Sequence, residues 1–343
     1  MTMPARRHIA LSMRERGYTL VELMMSLVPG MVLVGGVFVV FMSSRASFST
    51  SDNLSKMQDS ARIAFTLIDR EIREASSTGC GNGSRSDNNI GKRNVSILNA
   101  AQASPPAWWS VLGLGIQGFE ASIAMPAVAI GSLQGQRTGT TDAIQLTGAY
   151  GAGFSIEKHD SIKNEFTLNT ASRVAANDIL IACDYKQSSV FSASSAAANK
   201  VGYAPGSSSA SNCSTLLGFD VGTTCTTTSY QYDALIARLS RFGASAWYVG
   251  NNASGRSSLY RVFMNGNPEE IAPGVTDMQI RYLPVGGGAY VSASDVADWG
   301  SIVAVRLTLS FESQDAGVAT GSTGDRRLGT VASSTILLRN RLP

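Results

Sequence analysis

Glu22 is the first residue whose surroundings suggest chemistry, because it is the one charged side chain in a long apolar run. From Tyr18 to Met42 the chain has 25 residues, and Glu22 alone among them is charged. A helix of that length is about 37 Å long, which is enough to cross a bilayer core of about 30 Å. A carboxylate inside such a span costs about 2.5–3.5 kcal/mol, so its presence predicts a functional role.

The residues before this apolar run are basic, with four arginines and one glutamate preceding Gly17. A secretory signal peptide is cleaved after its apolar region, whereas here the small residue comes before it. Cleavage after Gly17 would therefore remove the basic leader and keep the apolar helix. The positive-inside rule places residues 1–17 in the cytoplasm and the chain after the apolar helix on the outer side of the membrane.

This combination of a basic leader, Gly17, Glu22 five residues later and an apolar helix resembles the class III signal of type IV prepilins and pseudopilins. The resemblance implies that prepilin peptidase cuts between Gly17 and Tyr18 and methylates the new amino terminus at Tyr18. It also implies an assembly salt bridge between Glu22 and that amine of a neighbouring subunit, since unpaired charges in a low dielectric are costly. An ordinary membrane anchor with a stray glutamate is the alternative.

The helix is expected to continue beyond the apolar run and to become amphipathic. Pro29-Gly30 predicts a kink or local melting, and the Ser-rich stretch 43–53 predicts a looser joint. After it, apolar residues at steps of three and four predict one buried face of an amphipathic helix, which ends near Thr78-Gly79. That face comprises Leu54, Met57, Ala61, Ala64, Ile68, Ile72 and Ala75, and the pairs Asp69–Arg73 and Arg70–Glu74 support the helix.

Charge gives no support for nucleic-acid binding. The full chain of 343 residues has 28 basic and 25 acidic residues, and removal of the leader leaves 24 of each. A mature chain with no net charge does not carry the global footprint of a nucleic-acid-binding protein. A membrane-tethered module for surfaces or DNA uptake, with a local basic patch, remains an alternative.

Four cysteines, Cys80, Cys183, Cys213 and Cys225, are expected to be oxidised if the bulk of the chain lies outside the inner membrane. Four cysteines allow three pairings, and the sequence alone does not choose among them. We favour Cys80–Cys183 with Cys213–Cys225, because the second pair closes a short loop in a Gly/Ser/Thr-rich stretch. Zinc binding is disfavoured because no C-x₂-C pair occurs.

The remaining chain has the periodicity of β-structure, and we expect a hairpin around Asn251–Gly255 and a surface loop over 188–211. Alternating residues at 278–282 and 303–311 predict half-buried antiparallel strands. Residues 81–141 are expected to form loops with one or two short strands. Further strands are predicted over 142–149, 161–169, 178–185, 232–250, 259–264 and 330–342.

No arrangement typical of an enzyme is present, and neither a cofactor nor a metal is expected. His8 lies in the leader, and the adjacent pair His159-Asp160 cannot by itself form a triad. The glycines between Gly113 and Gly118 match a dinucleotide fingerprint only formally, since the strand, helix and repeat it requires are not evident. Glu269-Glu270 is expected to be a solvated edge, and strand aromatics such as Trp247 are expected in the core.

Several segments resemble the PilW family of minor pilins, and they are spread over most of the mature chain. The resemblance implies a type IV pilin-like α+β fold, with a long N-terminal helix packed on a mainly antiparallel β-sheet domain. The implied parts are a leader (1–17), a membrane and assembly helix (18–42), an amphipathic helix (43–79) and a periplasmic β-rich domain (80–343). The segments that carry the resemblance are 57–65 through Gly79-Cys80, 118–120, 178–184, 258–261 and 271–282.

The same resemblance implies a minor pilin that helps to initiate a type IV pilus within a tip complex, supporting twitching motility and adhesion. Its implied partners are other minor pilins, the major pilin, prepilin peptidase, the inner membrane and a large tip adhesin, with no specific nucleic acid. A pseudopilin of a type II secretion system shares the N-terminal signal and is the first alternative. A plain anchored structural protein, without a processed amino terminus, is another.

Overall fold

The computed structural model describes residue 17 and residues 19–80, 93–113, 115–220, 225–319 and 324–341. Its backbone separates into two compact units, with the boundary between Asp52 and Asn53.

A single long helix, α1, runs from Leu20 to Glu74. It passes through Pro29 and through the Ser-rich residues 43–53, so the predicted local melting at Pro29-Gly30 is not found. Helix propagation is cooperative, and each added residue gains a hydrogen bond without a new nucleation cost, which outweighs the modest penalty of the serines.

The helix ends four residues earlier than predicted. Ser76, with φ of 65°, adopts the left-handed conformation that commonly ends a helix. Ser76 N donates to Thr147 O at 2.9 Å, which turns the chain away from the helix axis onto a strand. Gly79 is also left-handed, with φ of +88°, and a Cβ there would lie 2.6 Å from Ser240 Oγ. Close contact with β9 therefore explains why this residue is a glycine.

The rest of the described chain forms two sheets built from fourteen strands, with a few short 3-10 turns. The strands are β1 (Asn94–Ser96), β2 (Ile116–Phe119), β3 (Ala143–Asp160), β4 (Glu165–Leu168), β5 (Ile179–Cys183), β6 (Ser188–Ser192), β7 (Ser195–Ala197), β8 (Lys200–Gly202), β9 (Arg238–Asn251), β10 (Ser257–Phe263), β11 (Glu269–Pro273), β12 (Val275–Pro284), β13 (Ile302–Glu312) and β14 (Gly329–Leu337).

The larger sheet has the order β1-β6-β5-β9-β3-β4-β8-β7, with β10 and β11 extending from β9 and β2 pairing with β3. The smaller sheet has the order β12-β13-β14. All pairings are antiparallel except that of β1 with β6. The α+β prediction, a long N-terminal helix with a mainly antiparallel β-sheet domain, is confirmed.

The strongest sequence patterns gave the right strands. The turn after Asn251 joins β9 to β10 in a regular hairpin. The alternating segments became β12 and β13, which pair antiparallel through Ile280 opposite Leu307. The formal glycine fingerprint runs into β2, which contains Gly118, rather than into a helix, so its match to a dinucleotide motif arose by chance.

The prediction of a surface loop over 188–211 was wrong. It contains β6, whose five residues are all buried between β5 and β1, and also β7 and β8. The serines of β6 can be buried because their hydroxyls are satisfied: Ser189 Oγ donates to Leu217 O at 2.7 Å and contacts Tyr232 Oη at 2.6 Å. A composition of Ser and Ala therefore concealed a fully buried interior strand.

Two strand boundaries also differed from expectation. β3 is 18 residues long and continues well past Ala149, with an irregular register between Tyr150 and Phe154. Residues 161–164 form the turn that follows it, so β4 starts only at Glu165.

Both cysteine pairs form disulfides, Cys80–Cys183 and Cys213–Cys225. These are the pairs that the sequence analysis favoured. The first links the segment just after α1 to the end of β5, and the second closes a loop of the larger sheet.

Candidate functional site

The candidate site is α1, whose two segments carry different side chains. At its start, Thr19 Oγ1 accepts from Glu22 N at 3.3 Å, and Thr19 O accepts from Leu23 N at 3.1 Å. Thr19 therefore caps the helix, and Glu22 lies in its first turn, where a carboxylate is favoured by the helix dipole. The Thr-x-x-Glu spacing is a capping signal that the sequence analysis missed.

Gly17 lies just before this cap, while Tyr18 and the leader lie outside the described residues. The cleavage between Gly17 and Tyr18 and the methylation of Tyr18 therefore stay predictions.

The first segment, residues 20–42, presents apolar side chains all around the helix. Its large apolar residues are 48–76% exposed, and the side chain of Glu22 is exposed among them. This segment is long and apolar enough to cross a membrane. Leaving such a surface in water is costly, at about 25 cal/mol for each Å². A bilayer or neighbouring apolar helices would remove that cost.

The second segment, residues 53–74, buries one stripe against the β-domain. Met57, Ala64, Ile68 and Ile72 are at most 5% exposed and belong to a core formed with β12 and β13. The predicted stripe is thus confirmed, except that Leu54 is 45% exposed because the buried face at that end begins at Asn53.

Glu71 joins this segment to the larger sheet. Its Oε2 accepts from Ser245 Oγ at 2.5 Å and from Trp247 Nε1 at 2.6 Å, both in β9. Its Oε1 accepts from an Arg261 guanidinium nitrogen at 3.0 Å, and Arg261 also pairs with Glu269 at 2.7 Å. The guanidinium lies 5.7 Å from the Trp247 ring centre. One carboxylate thus holds helix, β9 and β10 in register.

Asp69 makes the matching contact with the smaller sheet, where its Oδ2 accepts from Ser334 Oγ of β14 at 2.9 Å. Burial raises the pKa of Asp69, while the hydrogen bond from Ser334 and the charge of Arg73 oppose that rise. The expected helical pairs Asp69–Arg73 (3.7 Å) and Arg70–Glu74 (3.2 Å) are both present.

The end of the helix is capped from the C-terminal region. Asn340 Nδ2 donates to Glu74 O at 3.3 Å and to Ala75 O at 3.2 Å, satisfying carbonyls that the helix leaves open. The second segment is therefore held along its whole length by the domain it belongs to.

His159, the histidine outside the leader, has a structural role in the core of the β-domain. Its Nδ1 accepts from Tyr232 N at 3.1 Å, so the proton lies on Nε2, which donates to Tyr203 Oη at 2.6 Å. The ring stacks on Phe166 with centres 4.4 Å apart. Burial lowers the pKa of His159 to about 4, so it is neutral at pH 7. The neighbouring Asp160 is bound instead by Lys158 and the Lys163 amide.

The other candidates for chemistry also have structural roles. Glu269 and Glu270 are exposed on the edge strand β11, in line with the expected solvated edge, and Glu270 accepts from Ser258 Oγ at 2.7 Å. Trp247, Tyr248, Tyr260 and Tyr282 are buried, as predicted for core aromatics. Within the described ranges, no group of three or more His, Cys, Asp or Glu side chains could hold a metal ion.

Comparison with known proteins finds a matching family model and a similar solved structure. A sequence model of the PilW family, described as Type IV Pilus-assembly protein W, matches residues 246–340. Among solved structures, the type IV-like pilin TTHA1219 from Thermus thermophilus is similar, at 9% identity and a TM-score of 0.31. That alignment covers 84% of this chain and 98% of the other. No curated protein matches the chain.

The matched region begins within β9 and includes the β9–β10 hairpin, β11 and the whole smaller sheet. It thus contains Trp247 and Arg261, two of the partners of Glu71, and Ser334, the partner of Asp69. The match confirms the predicted resemblance: over residues 246–340, this chain is similar to the PilW family of type IV pilus-assembly proteins.

Proposed function

We propose that this protein is a minor pilin that helps to initiate assembly of a type IV pilus as part of a tip complex. The match of residues 246–340 to the PilW family carries the proposal. The exposed apolar segment of α1 with its single Glu22 supports it, because a filament subunit needs a helix that can leave the bilayer and pack against others.

In this proposal, prepilin peptidase removes residues 1–17 and methylates Tyr18. The mature chain remains in the inner membrane with residues 80–343 in the periplasm until it enters the filament. There the amine of a neighbouring subunit pairs with Glu22, since two charges at similar depth in a low dielectric stabilise one another.

The start of filament assembly is a nucleation step, and a dedicated subunit can lower its barrier. The first subunits of a filament lack neighbours against which to bury their helices. A preassembled complex of minor pilins would remove this slow step and present a tip adhesin. The contacts of Glu71, Asp69 and Asn340 would then transmit force from the helix to the β-domain without relative movement.

Substitution at Glu22 tests the assembly step. We expect Glu22→Ala to give a processed membrane protein, with N-methylated Tyr18 by mass spectrometry, whose amount in sheared filaments falls at least about tenfold. Glu74→Ala is the matched control, because it removes an exposed glutamate of the same helix outside the apolar segment. A normal level of the Glu22→Ala protein in sheared filaments would contradict the proposed role.

Deletion of the gene tests the pilus role as a whole. Loss of surface pili and of twitching, with normal secretion, is the expected result. Intact pili with secreted enzymes trapped in the periplasm would instead assign the chain to a type II secretion system. Unchanged pili and secretion would overturn the proposal.

A further inference from the structure

We propose that the free edge of β14 is a docking site for an extended, uncharged strand of another subunit, which would add a fourth strand to the smaller sheet. The inference rests on the proposed function only in taking the partner to be a subunit of the same assembly. The edge itself is defined by backbone geometry.

The hydrogen-bond pattern shows which groups of β14 point outward. Leu338 N donates to Val303 O at 3.0 Å, and Ser313 N donates to Leu328 O at 2.8 Å. Both contacts join even-numbered residues of this segment to the β13 side. Because backbone groups in an antiparallel ladder alternate in direction, the odd-numbered residues of β14 turn theirs to the free edge. These residues are Gly329, Val331, Ser333, Thr335 and Leu337, and all five are exposed.

The opposite edge of the same sheet is occupied, which provides a direct contrast. On β12, Met278 O accepts from Asp142 N at 2.9 Å, and Ile280 N donates to Asp142 Oδ2 at 2.9 Å. Farther along, Tyr282 and Val291 exchange two backbone hydrogen bonds. In the described part of the chain, no such hydrogen bond reaches the outward groups of β14.

The sequence of β14 lacks the features that keep exposed edges from pairing. Its nine residues, Gly329–Leu337, include no charge and no proline, and its register with β13 is regular throughout. β11, an edge of the larger sheet, shows the usual protection, with Glu269, Glu270 and Pro273 among five residues. β1 and β7, which end that sheet, have only three residues each.

A partner of defined chemistry follows from these observations. A regular strand of nine residues offers about 30 Å of unpaired backbone, which an extended main chain satisfies with alternating donors and acceptors. The side chains beside that edge are uncharged, and the two largest apolar ones, Val331 and Leu337, are 66% and 50% exposed. A strand with apolar or β-branched residues and no charges fits this edge, since β14 itself offers apolar and hydroxyl side chains and no charge.

Amide hydrogen exchange, resolved to single residues, tests the proposal on the full-length chain. The protein is measured alone in detergent and again within the membrane complex isolated through its own affinity tag. We expect exchange at Val331, Ser333 and Thr335 to slow at least about tenfold in the complex. The even-numbered amides, already bonded to β13, should be slow in both samples.

Two variants disturb the edge without disturbing the ladder to β13. Thr335→Pro removes one outward N–H at an edge position where proline is tolerated, and Thr335→Val is its matched control. Val331→Lys adds a charge that opposes strand addition, and Ile162→Lys adds the same charge at a turn residue that is 93% exposed. Thermal unfolding of each purified variant establishes that it is folded. Both edge variants should abolish the protection in the complex, and both controls should retain it.

Each outcome decides the proposal. Equal exchange of the odd-numbered amides in both samples would overturn it, as would protection that survives both edge variants. Protection already present in the isolated chain, and dependent on its concentration, would make the occupant a second copy and overturn the assignment to another subunit. If the deletion strain lacks pili while β14 exchange is unchanged, the docking site fails and the proposed function stands.

Discussion

The two segments of α1 are parts of one helix, yet they solve the burial of apolar side chains in opposite ways. Residues 20–42 are apolar on every face and remain exposed within the chain, whereas residues 53–74 bury a single stripe against the sheets. The difference follows from periodicity, because a helix that is apolar all round needs an apolar environment on all sides, whereas a stripe needs one neighbour. The first segment therefore requires a membrane or other helices, and the second is satisfied by its own domain.

Truncation of a side chain in the buried stripe should lower the free energy of unfolding more than any other change considered below. A small loss would contradict the difference between the two segments. Ile68→Ala and Ile72→Ala should each lower the free energy of unfolding by about 2–5 kcal/mol, because both side chains are fully buried and leave cavities. Chemical denaturation of the full-length protein in detergent, followed by tryptophan fluorescence, measures this loss.

The matched control lies in the other segment of the same helix. Val34→Ala removes apolar volume at a side chain that is 68% exposed, so the unfolding of the β-domain should stay within about 0.5 kcal/mol of wild type. Equal losses from Val34 and Ile68 would mean that the two segments do not differ in the proposed way.

Acid should destabilise the β-domain through His159, which is buried there. The apolar segment of α1 contains no histidine, so this effect separates the two regions. The pKa of His159 is about 4 in the folded chain against an ordinary value of 6.5, since burial disfavours the charged form. The unfolded chain therefore binds the extra proton between these values, and stability should fall as pH decreases from about 6.5 to about 4. The loss from this group is up to about 3 kcal/mol, at 1.36 kcal/mol for each pKa unit.

A His159→Asn variant provides the control for that titration. Denaturation midpoints of both proteins, measured from pH 7.5 to 4, should converge as pH falls, because only the wild type loses this contribution. Parallel curves over the whole range would contradict the assignment of a neutral buried imidazole.

Removal of the carboxylate of Glu71 should have a smaller effect, of about 2 kcal/mol. Glu71→Ala leaves Trp247 Nε1 and one guanidinium nitrogen of Arg261 without an acceptor. The remaining pair of Arg261 with Glu269 and the partial exposure of the site to water limit the cost. The control Glu74→Ala breaks the more exposed pair with Arg70 and should cost less than about 1 kcal/mol. Unfolding of the two variants under identical conditions measures the difference, and equal losses would show that Glu71 does not hold the segment.

The elements that were predicted best are those whose pattern is local. The all-apolar run and the helical stripe depend on spacing along one chain, and the hairpin at β9–β10 depends on a turn between two strands. The elements that were misjudged depend on distant partners. β6 looks like a loop because its Ser-rich composition is polar, and it becomes a strand only when Tyr232 and Leu217 satisfy Ser189.

Arg137 illustrates the same limit for a single residue. Nothing in its sequence neighbourhood predicts burial, yet the side chain is fully buried and its guanidinium is ringed by backbone carbonyls. Desolvation lowers its pKa, while the charge of Asp142 acts in the opposite direction. The structure thus uses Arg137 to organise the connection that precedes β3. The carbonyls that accept from it belong to Phe119, Glu120, Ala121, Ile123 and Thr141.

The sequence by itself determined the apolar helix, the isolated carboxylate at its start, the stripe that follows and the alternation of the main strands. These features are set by residue type and by periods of 3.6 and 2 along the chain. The tertiary structure alone decided that Glu71 joins the helix to β9 and β10 and that β6 is a buried interior strand. It also decided that Asp142 and Val291 cover the outer edge of β12, whereas no described residue bonds to the outward backbone groups of β14. Contacts of this kind depend on which distant backbone and side-chain groups meet, and no local period encodes that.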